Sequence, residues 1–146
     1  MMKFENWVNG TFDSPSLNQV FSHHSSHQNQ LKKLQKALHM ADSLLGRETV
    51  LEIAPGRFSD FGDSVLFVTS QRLLIIKNSF QSGHSVSLDL DSLENAHLSY
   101  QPLAGHTLSL GGGAHRFTRI PAGFANSLRK ALFEEQKTFS QMAQAD

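Results

Sequence analysis

Histidine is the residue type whose spacing comes closest to a chemical site. His23 and His27 lie four residues apart, and His24 and His27 lie three apart, so on a helix either pair could meet a divalent metal ion. The nearest carboxylates are Asp13 and Asp42, and two imidazoles alone make a weak, open site. We therefore predict no metal and no cofactor, and keep metal-dependent assembly through His23, His24 and His27 as an alternative.

A second candidate site consists of cations for an anionic ligand or a membrane surface: Arg57, Arg72, Lys77, Arg116 and Arg119. In the connection predicted over residues 55–63, one arginine stands against two aspartates, which disfavours a polyphosphorylated lipid headgroup. Phe58 and Phe61 could insert into a bilayer, but aromatic residues in a turn more often cover a core edge. A membrane surface is therefore a disfavoured partner.

Catalytic motifs are missing from the sequence. It contains no Gly-x-Ser-x-Gly elbow and no His-Glu-x-x-His helix. The absence of cysteine excludes thiol nucleophiles and thiolate zinc sites. We predict that the protein is not an enzyme.

Length and charge narrow the class of protein further. The 146 residues suffice for one domain. Thirteen basic and thirteen acidic residues cancel, so no global field attracts nucleic acid, and none is expected as a partner. A composition of 39% hydrophobic and 18% charged residues is typical of a globular protein. No signal peptide or membrane span is visible, and we expect a cytoplasmic protein.

Residues 1–45 predict a helical segment. Its apolar residues recur at alternating spacings of three and four, which is the seam of a heptad pattern. Ser14 and Pro15 fit a helix start, and Gly46 fits a helix end. The stretch 22–27 is poor in helix-forming residues, so the sequence is compatible with one long helix and with two short helices.

Residues 46–146 form the second unit and switch to a period of two residues up to position 120. Glycine and proline are expected to form the turns between strands, at 55–56, 78–83, 102–105 and 111–113. About seven short antiparallel strands follow, which indicates an α+β fold with a small β-barrel or sandwich. An amphipathic helix over about 122–142 is expected to close it.

The strand, turn and strand at residues 65–76, with Thr69 and Arg72 in the turn, resemble bacterial pleckstrin-homology-like domains of the YokE-like family. Residues 87–96 also match the order of elements in that family, and the resemblance spans roughly residues 46–139. It implies a small pleckstrin-homology-like domain prone to homo-oligomerisation. We interpret Thr69 and Arg72 as structural, with the hydroxyl bonding the turn backbone and the guanidinium spanning carbonyls at the hairpin end.

An excess of apolar residues carries the functional prediction. Val65–Val68 and Leu73–Ile76 do not alternate, so both faces of two successive strands need a cover. That cover is either the N-terminal segment or another copy of the chain. We predict a non-catalytic interaction module that associates with protein, most simply with itself. The predicted interface residues are Leu31, Leu34, Leu38, Leu45, Leu74 and Ile76.

Overall fold

The computed structural model describes residues 12–24, 31–59, 62–78, 85–93 and 96–135, which form an α+β fold. The helices are α1 (Pro15–His23), α2 (Gln35–Leu45) and α3 (Ala122–Arg129), the last continued by a π-helical stretch, Lys130–Glu135. The strands are β1 (Val50–Phe58), β2 (Gly62–Thr69), β3 (Arg72–Lys77), β4 (Ser85–Asp89), β5 (His97–Gln101), β6 (Gly105–Leu110) and β7 (His115–Ile120). A short 3-10 turn, Leu90–Leu93, follows β4, and another, Gly111–Gly113, joins β6 to β7.

The seven strands form one antiparallel sheet in the order β4-β3-β2-β1-β7-β6-β5. The predicted seven antiparallel strands are confirmed. The predicted closure into a barrel is not, because β4 and β5 are the two edges of an open sheet and β1 pairs with β7 at only two positions, Arg57 with Thr118 and Phe58 with Phe117. α3 packs on β1.

In the described part of the N-terminal segment, α1 and α2 are separate helices and not parts of one long helix. Ser14 caps α1 by accepting a hydrogen bond from the Leu17 N–H at 3.2 Å, and Pro15 occupies the first turn. α1 ends at His24, whose N–H donates to the Phe21 carbonyl. Gly46 ends α2 with φ at 58°, a conformation that glycine adopts readily.

α1 and α2 lie on the sheet as one helical layer, α1 against β1 and α2 against β2 and β3. The Asp42 carboxylate accepts hydrogen bonds from the backbone N–H groups of Asp13 at 2.8 Å and Ser14 at 2.9 Å, which fixes α2 to the start of α1. Ser16 accepts the Val50 N–H at 2.8 Å and so fixes α1 to β1. The helices and the sheet share a single hydrophobic core.

The two apolar strands are covered by the chain itself. All four residues of Val65–Val68 and all four of Leu73–Ile76 are buried, as the lack of alternation predicted. Of the six residues predicted to form an interface, five are buried inside the single chain, Leu31, Leu38, Leu45, Leu74 and Ile76, and Leu34 is half-buried. These side chains pack the helical layer against the sheet. The cover of the two strands is therefore the N-terminal segment of the same chain, which is one of the two alternatives predicted.

The predicted turn at Pro55 and Gly56 is wrong, because both residues lie within β1. A Cβ atom at position 56 would lie 2.5 Å from the Phe117 ring and 2.7 Å from the Thr118 carbonyl oxygen. Glycine is therefore needed where β7 crosses close to β1, and not for a turn. The first hairpin instead turns after Phe58, which is buried, so insertion of this side chain into a bilayer is ruled out.

The C-terminal helix begins at Ala122, where the sequence predicts it. It buries Phe124, Ala125 and Leu128 on one side. The end of the predicted helix, after residue 135, lies outside the described residues, as do Phe61 and His27.

The helical layer should be essential to the stability of the monomer, and two of the leucines of α2 provide a matched pair. Leu38 is fully buried, whereas Leu44 is 42% exposed. We expect Leu38→Ala to lower the free energy of unfolding by roughly 2–5 kcal/mol, because it leaves a cavity, and Leu44→Ala to lower it by less than about 1 kcal/mol. Urea unfolding followed by circular dichroism measures both values. Equal losses would contradict the packing described here.

Candidate functional site

Thr69 and Arg72 belong to a polar network at the turn between β2 and β3. The Thr69 hydroxyl accepts hydrogen bonds from the backbone N–H groups of Gln71 and Arg72 at 3.1 and 3.0 Å, and donates to Glu48 at 2.8 Å. The Arg72 guanidinium donates to both carboxylate oxygens of Glu48, at 2.7 to 3.0 Å. It also reaches the Leu44 carbonyl at 3.1 Å. The predicted contact of the Thr69 hydroxyl with the turn backbone is therefore confirmed. Arg72 is also structural, but it binds the Glu48 carboxylate and the Leu44 carbonyl instead of carbonyls at the hairpin end.

This network removes Arg72 from the predicted set of anion-binding cations. Its guanidinium is already shared among Glu48, the end of α2 and the Ser87 hydroxyl of β4. The Glu48 side chain is only 10% exposed and binds Arg72 through both carboxylate oxygens. Because a ligand from solution would have to displace this bidentate partner, the ion pair is a fixed structural contact.

Of the three histidines considered for metal-dependent assembly, His23 and His24 lie within the described residues and His27 does not. His24 is buried and its Nε2 is hydrogen-bonded to the buried carboxylate of Glu52, while its ring lies against Phe124 with the centroids 4.4 Å apart. His23 is exposed and lines a cleft of about 540 Å³ between α1, the start of β1 and the C-terminal helix. Within the described ranges no group of three or more histidine, aspartate or glutamate side chains could hold a metal ion. His24 thus joins α1 to β1.

Three of the four remaining predicted cations line one of two cavities, and Lys77 lines neither. Arg116 lines a hollow of about 350 Å³ beside the β5–β6 turn, together with Pro102 and Thr107. Lys77 ends β3 and lines none of the cavities described here. Arg57 and Arg119 line the same recess. The five predicted cations therefore do not form one site, but two of them do share one.

This basic recess has a volume of about 320 Å³ and lies where the helical layer meets the first hairpin and the end of β7. Its cations come from three separate parts of the chain: Lys33 from the turn before α2, Arg57 from β1 and Arg119 from β7. The other lining residues are Leu34, Pro55, Gly56, Asp63, Ser64, Asn78 and Pro121. Sequence reasoning named Arg57 and Arg119 but missed Lys33.

The close crossing of β1 and β7 brings Arg57 and Arg119 to the same recess. Arg57 stands opposite Thr118 in the sheet register, and the preceding Gly56 leaves space for β7 to approach. Arg119 has φ at 57°, the left-handed region that costs a side-chain-bearing residue of order 1–3 kcal/mol. Its backbone N–H donates to the Ala104 carbonyl at 2.8 Å, which holds this conformation in place.

Asn78 places Lys33 beside these arginines. At the end of β3, its side-chain amide donates to the Lys33 carbonyl at 2.8 Å, and its amide oxygen accepts the Ala37 N–H at 3.4 Å. One neutral side chain thus joins the sheet to the turn before α2. Lys36, on the first turn of α2, does not line the recess, and desolvation by burial lowers its pKa.

The recess is electropositive. Among the described lining residues, the three cations Lys33, Arg57 and Arg119 and the carboxylate of Asp63 add up to a formal charge of +2. All four residues are exposed. Among the described residues, none of the three cationic side chains has a hydrogen-bond or ion-pair partner. Unlike Arg72, these cations have no partner among the described residues that a ligand would have to displace.

The recess also lacks a free nucleophile in the described part of the chain. Ser64 is buried, and its hydroxyl donates to the Gly62 carbonyl at 2.7 Å. Asn78 uses its amide to hold Lys33 and Ala37. The arrangement can therefore bind and neutralise an anion, but it presents no activated group for attack on one.

Comparisons with known proteins do not narrow the function. A scan against models of protein families finds no match, and a search of curated proteins finds no similar sequence. The resemblance to the pleckstrin-homology-like family therefore stays a prediction. None of the helices in the described ranges combines the length and apolarity needed to cross a bilayer.

The separation between structural and free arginines gives a direct test. We expect Arg72→Gln to lower the free energy of unfolding by roughly 1.5–3 kcal/mol, because Glu48 loses a charge-assisted partner. Arg116→Gln removes the same charge from an exposed position and should change stability by less than about 0.5 kcal/mol. Chemical denaturation of both variants provides the comparison, and similar values for the two would refute the assignment.

Proposed function

We propose that this chain is a non-catalytic binding module that takes an anionic group of phosphate type in the basic recess. The observation that carries the proposal is the meeting of three cations from three elements in one recess of about 320 Å³, with no ion-pair or hydrogen-bond partner for their side chains in the part of the chain that the structure describes. This volume lies at the lower end of the range for small-molecule sites.

The charge of the recess favours a dianion. A formal charge of +2 matches a single phosphomonoester better than a polyphosphorylated headgroup, which would need more converging cations. Arginine donates in a planar fork that fits phosphate oxygens, and lysine adds a mobile point charge. The proposed ligand is thus a small phosphorylated molecule or inorganic phosphate itself.

Arg119 and Arg116 lie on the same strand and give a matched test of this proposal. Arg119→Gln should weaken phosphate binding about tenfold or more, as expected for loss of a charge-assisted hydrogen bond. Arg116→Gln, which lines a different hollow, should bind as the wild type does. Titration calorimetry with inorganic phosphate at constant ionic strength measures both.

A second substitution separates binding from folding. Arg119→Gly removes the charge where φ is positive, so it should leave the protein as stable as the wild type or more stable, while still abolishing the Arg119 contribution to binding. Equal phosphate affinity for the wild type and Arg119→Gly would overturn the proposal.

Homo-oligomerisation stays a prediction, although the residues first proposed for it lie inside the chain. The large apolar side chains exposed in the described residues are Leu44, Tyr100 and Leu103, the last two at the β5–β6 hairpin. If the protein self-associates through that hairpin, light scattering at micromolar concentration should give a multiple of 16.2 kDa, and Leu103→Ser should reduce it. A monomeric mass for the wild type would contradict self-association.

A further inference from the structure

The basic recess is shared between two layers of the fold. Lys33 and Leu34 belong to the turn that leads into α2, whereas Arg57 and Arg119 belong to the sheet. An anion held by all three cations would therefore contact the helical layer and the sheet at once. This position gives the ligand a means to act on the fold as well as to occupy a site.

The end of α2 at the recess has no side-chain cap. Leu34 is the N-cap residue of α2 and forms no side-chain cap, so the first turn lacks the usual partner for its free N–H groups. Asn78 supplies a substitute, but its contact with the Ala37 N–H is long, at 3.4 Å.

The opposite end of α2 is fastened by charged groups. Arg72 donates to the Leu44 carbonyl and to Glu48, both close to the end of the helix. Asp42 accepts two backbone N–H groups at the start of α1. Charged groups thus hold one end of α2, while the Asn78 amide joins the other end to the sheet.

The recess end also covers apolar surface. Leu31, Ala37 and Leu38 are buried, and α2 packs on β2 and β3, whose central residues are all buried. When residues 31–38 leave the sheet, apolar side chains of those strands lose part of their cover.

We propose that binding of a phosphate-type dianion in the basic recess and docking of residues 31–38 on the sheet are coupled, with the anion bridging Lys33 to Arg57 and Arg119. This inference rests on the proposed anion-binding function. Because coupling between ligand binding and docking is reciprocal, the ligand favours the docked state of the segment, and loosening of the segment weakens ligand binding. The ligand concentration thereby sets how often the apolar faces of β2 and β3 are uncovered.

Hydrogen exchange of the full-length protein tests the coupling, with phosphate added at constant ionic strength against chloride. At a phosphate concentration ten times the Kd, exchange in residues 31–38 should slow roughly tenfold, and exchange in β5 should slow much less. The comparison within one molecule separates local docking from global stabilisation. Equal slowing of both segments would overturn the coupling.

Lys33→Gln is the decisive variant, because Lys33 is exposed and its removal leaves Arg57 and Arg119 in place. It should still bind phosphate, more weakly, and at matched occupancy should lose the extra protection of residues 31–38. Lys130→Gln removes an exposed lysine that does not line the recess and should keep the protection. Full protection in Lys33→Gln would refute the bridging role.

Binding measurements on the same protein show whether the coupling or the proposed function has failed. They also show whether the protein binds a soluble phosphate or a phosphate carried by a lipid. Calorimetric binding of phosphate without extra protection of residues 31–38 overturns the coupling alone. The probes are inorganic phosphate and phosphatidylcholine vesicles containing phosphatidic acid, and we expect the soluble anion to suffice. Binding of neither probe overturns both proposals, and binding of the vesicles alone overturns the proposal of a soluble ligand.

Discussion

The burial of both faces of β2 and β3 is the constraint on which the rest of the structure depends. Two adjacent strands without polar alternation cannot face water on either side, so the sheet needs a second layer. The chain supplies that layer from its own N-terminal segment, and α2 covers these two strands. The leucines that make the segment amphipathic are thereby used inside the monomer, which leaves its polar residues to form the outer surface.

Polar contacts then fix where the layer lies. Apolar burial is non-directional, and it does not by itself set the position of a helix on a flat apolar sheet. Directional contacts do so at four points: Asp42 at the start of α1, Ser16 at β1, Arg72 at the end of α2 and Asn78 at its start. His24 and Glu52 add a buried pair between α1 and β1. The basic recess forms at the point where this set of contacts places the layer edge over the first hairpin.

The sequence predicted features that depend on neighbouring residues and missed those that depend on distant ones. Alternation marked β4 and β5, Ser14 and Gly46 marked helix ends, and the spacing of Thr69 and Arg72 marked a turn network. Gly56 was misread because the reason for a glycine there, the ring of Phe117, is remote in the chain. Lys33 was missed for the same reason, since its nearness to Arg57 and Arg119 arises only when the helical layer docks. No local pattern in the sequence marks such a contact.

The conformation of Arg119 connects the fold to the proposed site. Glycine adopts a positive φ at little cost, whereas an arginine in that conformation costs free energy. The backbone hydrogen bond from Arg119 to Ala104 holds the conformation but does not remove its cost. Among the described residues the guanidinium makes no hydrogen bond or ion pair that would offset this cost. The proposed anion in the basic recess would supply Arg119, Arg57 and Lys33 with a partner that the described residues do not provide.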